Sequence, residues 1–233
     1  MHRTLMIALL GLLAACAAPA PPELQALLEA PTGQAGEMSF AEVAARVEPV
    51  AEALCRERGV VRACNFGILI DSRIDQPPNA FQTVDRAGRP ILGFNAALIA
   101  QVRNADELAF VMGHEAAHHI QGHIPQREQA AMSGALLGTI LATAQGLPEA
   151  EIARAGQIGA EVGARRFSRA FELEADAVGT EITLRAGFDA VRGSAFFDRL
   201  PDPGNEFLGS HPANAERKAL VRATQDRLLA QGL

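Results

Sequence analysis

His114, Glu115 and His118 lie within the stretch DELAFVMGHEAAHH, and no other segment limits the possible fold so strongly. Two imidazoles four residues apart stand above one another only on an α-helix, so a helix is required if both are to reach one ion. The local sequence supplies that helix. Asn104 and Glu107 carry the spacing of a helix-opening capping pair, and Leu108, Val111, Met112 and Ala116 recur on one apolar face. The His-Glu-x-x-His pattern is a zinc motif with a mechanism: the histidines hold the ion, and the glutamate between them works beside it. Glu115 is turned about 100° from His114, where it can take a proton from water as a general base. The expectation is one Zn2+ per chain.

A catalytic zinc keeps one position open and takes three protein ligands. The spacing excludes a third histidine three turns into the same helix, because Gln121 and Ile124 stand where HExxHxxGxxH needs Gly and His. If the helix continues, His123 falls about half a turn away from His114, and His119 points away from the ion. Both are read as supporting or surface groups. The third ligand must come from elsewhere, and SRAFELEADAVG at 168–179 offers it. Glu172 and Asp176 are four apart on one helical face, whereas Glu174 points away. Glu172 is assigned to the metal. Asp176 is assigned to hold a ligand imidazole through its other ring nitrogen, as carboxylates behind metal sites usually do.

The remaining pattern is that of an α+β, mostly α-helical domain. Ser39 and Glu42 open a helix running to about Arg58. Three short strands follow, at Phe66–Ile70, Phe81–Val84 and Pro90–Phe94, with the turn DRAGR between the last two. Pro90 cannot donate a ladder hydrogen bond, so this hairpin is placed at a sheet edge. Helical patterning then continues nearly to the end. Residues 126–147 contain MSGALLGTILATAQGL, which is uncharged and too short to span a bilayer. That helix reads either as half of a buried hairpin with 149–166 or as a membrane-dipping or substrate-gating segment.

Composition bears on function mainly by exclusion. A formal charge of −6 and the absence of Trp and Tyr leave neither a basic patch nor a stacking platform for nucleic acid. The first residues carry more information. Arg3 precedes a short apolar run ending in Leu13, Ala14, Ala15 and Cys16, which has the form of a secretory signal peptide closing on a bacterial lipobox. Residues 1–15 are therefore read as a leader and Cys16 as the lipidated mature N-terminus. The Ala/Pro-rich stretch 16–36 is read as a flexible tether, and 37–233 as one domain. Ala17 after the cysteine favours sorting to the outer membrane, facing the periplasm. Cys55 and Cys64 remain as an even pair in an exported chain and are expected to form a disulfide.

With these residues in place, the chain resembles the gluzincin peptidases typified by HtpX and the CAAX prenyl endopeptidase, particularly their lipid-anchored periplasmic bacterial members. DELAFVMGHEAAHH is similar to that family's zinc helix and SRAFELEAD to its third-ligand helix. PNAF at 78–81 and HPANAER at 211–217 are similar to two further elements of the family. The resemblance implies a zincin-like metallopeptidase domain with a small sheet or edge hairpin packed on the HExxH helix. It also implies that Asn79 binds substrate backbone, that His211 approaches the zinc to stabilise the oxyanion or close the site, and that Arg217 pairs with Glu172 and Asp176. Ala116-Ala117 replaces a bulkier pair common inside the motif. The membrane-spanning helices of HtpX-like members are missing, which argues against prenyl-protein substrates.

The expected function is zinc-dependent endopeptidase cleavage of misfolded or misassembled envelope proteins. Membrane contact would come through the lipid, and outer-membrane assembly machinery would be a partner. The alternative is a periplasmic chaperone or assembly factor whose zinc is closed off by His211.

Overall fold

The computed structural model describes residues 22–30, 38–73, 75–166, 168–200 and 213–233. Cys16 and the leader lie outside the described residues, as does His211. Helix α1 (Pro22–Glu29) occupies part of the stretch expected to be a tether. Leu27 and Leu28 are partly buried and pack against the core, so the Ala/Pro composition concealed a local apolar contact. Helix α2 (Phe40–Arg58) opens at Ser39 with both halves of a capping box formed and closes at Gly59 in the left-handed region.

Strands β1 (Gly67–Asp71), β2 (Ala80–Val84) and β3 (Pro90–Asn95) form one sheet in the order β1-β3-β2. β1 runs parallel to β3, and β2 antiparallel. The β2–β3 hairpin therefore lies at an edge of the sheet through β2, whereas the strand that carries Pro90 is the central one. Pro90 is the first residue of β3, where the turn is closed instead by Asp85 N–H donating to the Arg89 carbonyl at 2.9 Å. The missing donor is therefore not needed. β1 and β2 are the two edges.

Asn95 caps the short helix α3 (Ala96–Gln101), and Asn104 caps α4 (Ala105–Ile120). α4 is the hub: almost all of its residues are buried, and it packs against α2, the sheet and α7 (Ser168–Arg185). Phe66, Phe94, Leu54, Leu92, Leu108, Met112, Ile120 and Ile182 fill the core around it. α4 and α7 cross at Gly113 and Gly179. A Cβ on either would lie 2.9 Å from the other helix's backbone, so glycine is what allows this approach.

Between α4 and α7 the chain makes a hairpin of α5 (His123–Ala144) and α6 (Glu149–Arg166). α5 starts three residues earlier than the pattern suggested, because Pro125 sits in its first turn, where no N–H partner is required. Gly134 meets Gly159 closely, and Gly138 and Gly163 likewise meet alanine carbonyls across the pair. Only the inner faces are covered in this way. Met132, Leu136, Leu137, Ile140 and Leu141 stay exposed, as do Ile158 and Val162, so the hairpin is not buried. Among the described residues no helix is long and apolar enough to cross a membrane. The chain finishes with α8 (Ala190–Gly193), a 3-10 turn (Ser194–Arg199) and α9 (Asn214–Ala230). Arg199 clamps that turn onto the start of α4 through a buried two-pronged pair with Glu107, at 2.6 and 2.9 Å.

Candidate metal centre

The crossing of α4 and α7 brings His114, His118 and Glu172 together. The two histidine Nε2 atoms are 3.1 Å apart. Glu172 Oε2 is 3.5 Å from His114 Nε2, and Oε1 is 3.4 Å from His118 Nε2. Donors about 2.0–2.2 Å from a tetrahedral zinc lie roughly 3.3–3.5 Å from one another. The three side chains therefore fit one such ion, with two nitrogens and one oxygen as donors. Because the glycines hold the helix axes close beside His114, a residue from the next helix can reach an ion that the His114/His118 pair alone would leave half-exposed.

Behind His114, Asp176 is fully buried and accepts from its Nδ1 at 2.9 Å. Arg217 from α9 donates to both Asp176 oxygens, at 2.7 Å each, and reaches Glu172 Oε2 at 3.4 Å. Its guanidinium lies 3.9 Å over the Phe197 ring. Burial would push the Asp176 carboxyl up, but bonds from Arg217 and His114 hold it below the ordinary range. Burial likewise opposes a charge on His114, yet hydrogen bonds to Asp176 and Glu172 outweigh it and raise the imidazole to about 10. A positive charge is thus wanted at this point, and a metal ion would satisfy the same field. Glu115 is half-buried, and desolvation by its surroundings pushes it up to about 7.

Behind His118 the arrangement differs from the sequence expectation. α4 ends at Ile120, and Gly122, at φ 68°, turns the chain back. His123 is therefore not half a turn round a continuing helix. It is buried at 3% exposure, with Nδ1 2.9 Å from His118 Nδ1 and Nε2 3.2 Å from Glu174 Oε2. Its ring stacks on Phe171 at 4.3 Å. Burial pushes the His123 pKa down, which keeps the ring neutral. A glycine stop followed by Pro125 was the available signal. Glu174 does point away from the metal position, but towards His123 and not into solvent alone. His119 is also buried. Its Nε2 donates to the Ala63 carbonyl at 2.6 Å, tying α4 to the segment before β1. Burial lowers its pKa.

The three donors lie in a cleft of about 480 Å3 whose lining includes Glu115, Arg127, Phe171, Arg217 and the β2 edge from Pro78 to Gln82. Asn79 is on that rim. Its backbone exchanges two 3.0 Å hydrogen bonds with Asn95, leaving its side chain at the cleft. Cys55 and Cys64 are joined, with Cα atoms 5.6 Å apart.

Residues 40–225 match the model for peptidase family M48. The chain is 34% identical over 121 residues to a putative beta-barrel assembly-enhancing protease of Vibrio cholerae, covering 48% of this chain and 24% of that one. It is 30% identical over 164 residues to the beta-barrel assembly-enhancing protease of Escherichia coli K12, covering 59% of this chain and 33% of the relative. It is 27% identical over 133 residues to the metalloprotease LoiP of the same organism, covering 55% and 52%. The chain thus spans about a quarter to a half of the length of these relatives.

Proposed function

The chain belongs to peptidase family M48, and on that premise we propose that it is a zinc-dependent endopeptidase of the bacterial cell envelope. One observation carries the reading: two imidazoles and a carboxylate at 3.1–3.5 Å mutual spacing beside the half-buried Glu115 in an open cleft. Zinc held by His114, His118 and Glu172 would acidify a water and polarise the scissile carbonyl. The chain's own groups do the rest. Glu115 takes the proton from the attacking water and delivers it to the leaving amine, and its elevated pKa makes both transfers feasible near neutral pH. Asp176 and Arg217 fix the His114 ring. A substrate strand adds along the free side of β2, with Asn79 at its start, so main-chain hydrogen bonds bind it whatever its sequence. Such loose selectivity suits misfolded or misassembled envelope proteins, and the names of the Vibrio and E. coli relatives support a place beside outer-membrane assembly. Residues 1–15 act as leader, Cys16 carries the lipid, and the domain from 37 onward faces the periplasm. His211, outside the described residues, is assigned the role of an oxyanion-stabilising group.

Cleavage of unfolded casein by the purified protein, with and without chelator, tests this. Glu115→Gln should abolish cleavage while zinc stays near one equivalent; a variant that cuts as fast as the parent removes Glu115 from its role. The pH profile adds a second check. A base is competent only when deprotonated, so kcat/KM should fall tenfold per unit on the acid side of a midpoint at or below about 7, since a bound cation counteracts burial. A rate independent of pH between 5 and 8 would contradict the assignment.

A further inference from the structure

We propose that His123 and Glu174 form a second orienting arm of the metal centre, one that holds His118 in the tautomer needed to bind the ion and so sets how tightly the ion is kept. The proposal rests on the metal-centre reading above and assigns work to two residues outside the ligand set.

The argument is one of proton counting. His118 Nδ1 and His123 Nδ1 face each other at 2.9 Å, so one must donate and the other accept. A neutral imidazole has one N–H. If His118 Nε2 offers its lone pair to an ion shared with His114 and Glu172, its only proton is on Nδ1. His123 Nδ1 must then accept, which puts the His123 proton on Nε2. That atom faces Glu174 Oε2 at 3.2 Å, and a carboxylate can only accept. Every assignment along the chain from Glu174 to His118 is therefore forced once one end is set. The opposite arrangement, with His118 protonated on Nε2, would aim an N–H at the ion position and at His114 Nε2, 3.1 Å away.

The surroundings hold the chain in place. His123 is 3% exposed and its ring lies nearly parallel to Phe171, at 14°. Gly122 provides the positive φ that brings the ring back towards α4. The two ligand histidines thus differ in their support. His114 leans directly on a buried carboxylate neutralised by Arg217, whereas His118 leans on a neutral ring whose carboxylate is about half exposed. Loss of a group that orients a ligand typically weakens metal binding by about 10–100-fold.

The experiment is a zinc titration of the purified protein against a fluorescent chelator, with Glu174→Ala, Glu174→Gln and His123→Phe beside the parent. His123→Phe keeps the stack on Phe171 but leaves the His118 N–H without an acceptor, and should weaken zinc binding by about 10–100-fold. Glu174→Ala should weaken it by about tenfold at most, because water can reach the vacated acceptor position. Glu174→Gln retains an acceptor oxygen and should stay within about threefold of the parent. The melting temperature of the chelated proteins should not separate Glu174→Ala from Glu174→Gln, which distinguishes orientation from a general structural role. If Glu174→Gln binds zinc as poorly as Glu174→Ala, charge and not orientation is responsible, and the proposal is overturned. Parent-like binding by all three variants overturns it too, while the metal centre stands. A parent that binds no zinc defeats the metal centre and this arm together.

Discussion

The α4–α7 crossing and the α5–α6 hairpin are made by the same device and end in opposite states. In both, glycines bring two helix backbones into contact: Gly113 with Gly179 in the first, Gly134 with Gly159 and their neighbours in the second. At the first crossing the close approach encloses charged and polar groups that pair with one another: His114, Asp176 and Arg217 on one side, and on the other His118 and His123, with the half-exposed Glu174 at the end of the chain. At the second it buries small residues and leaves Met132, Leu136, Ile140 and Leu141 outside. Close helix packing by itself therefore says nothing of function. What separates the regions is whether polar groups converge on a point, since buried polar groups are tolerated only when satisfied.

The comparison can be broken most severely at Arg217. Arg217→Met would leave the Asp176 carboxylate buried without its bidentate partner, and such a loss costs about 3–5 kcal/mol. Chemical denaturation should show this together with weakened zinc binding; a variant as stable as the parent would mean that Asp176 finds another partner. A smaller effect separates the two crossings directly. Gly179→Ala places a methyl 2.9 Å from the α4 backbone and should cost roughly 1–3 kcal/mol while also lowering zinc affinity, because the ligands on the two helices move apart. Gly159→Ala should destabilise the hairpin and leave zinc affinity unchanged. Equal zinc affinity in both variants would show that the α4–α7 distance does not control the site. The smallest effect belongs to the outer hairpin face: Leu136→Gln, at a position 62% exposed, should change stability by no more than about 0.5 kcal/mol. A larger loss, read from the denaturation midpoint, would mean that this face is covered in solution.

Much of the candidate site was legible in the sequence because its parts are local. The capping residues Ser39 and Asn104, the four-residue spacing of His114 and His118, and the same spacing of Glu172 and Asp176 each depend on hydrogen bonds or side-chain rows within a single helix. Arg217 became a candidate only through family resemblance, since nothing in its neighbours marks it as a partner for Asp176 forty-one residues earlier. The side on which His123 falls was misplaced because a helix assumed to continue past Ile120 ends there. The hairpin was placed at an edge from Pro90, yet it reaches the edge through β2, because a proline at the first residue of a strand leaves no ladder bond unmade.

The sequence by itself determined the helix that carries His114 and His118, the carboxylate helix and a largely helical domain with three short strands, because helix periodicity and capping act between residues a few positions apart. Only the tertiary structure decided that these two helices meet at paired glycines, that β2 is the edge strand lining the cleft, and that a turn at Gly122 brings His123 to His118. Those outcomes are set by which surfaces pack closely and which polar groups find partners across the fold, and such pairings leave no periodic trace along the chain.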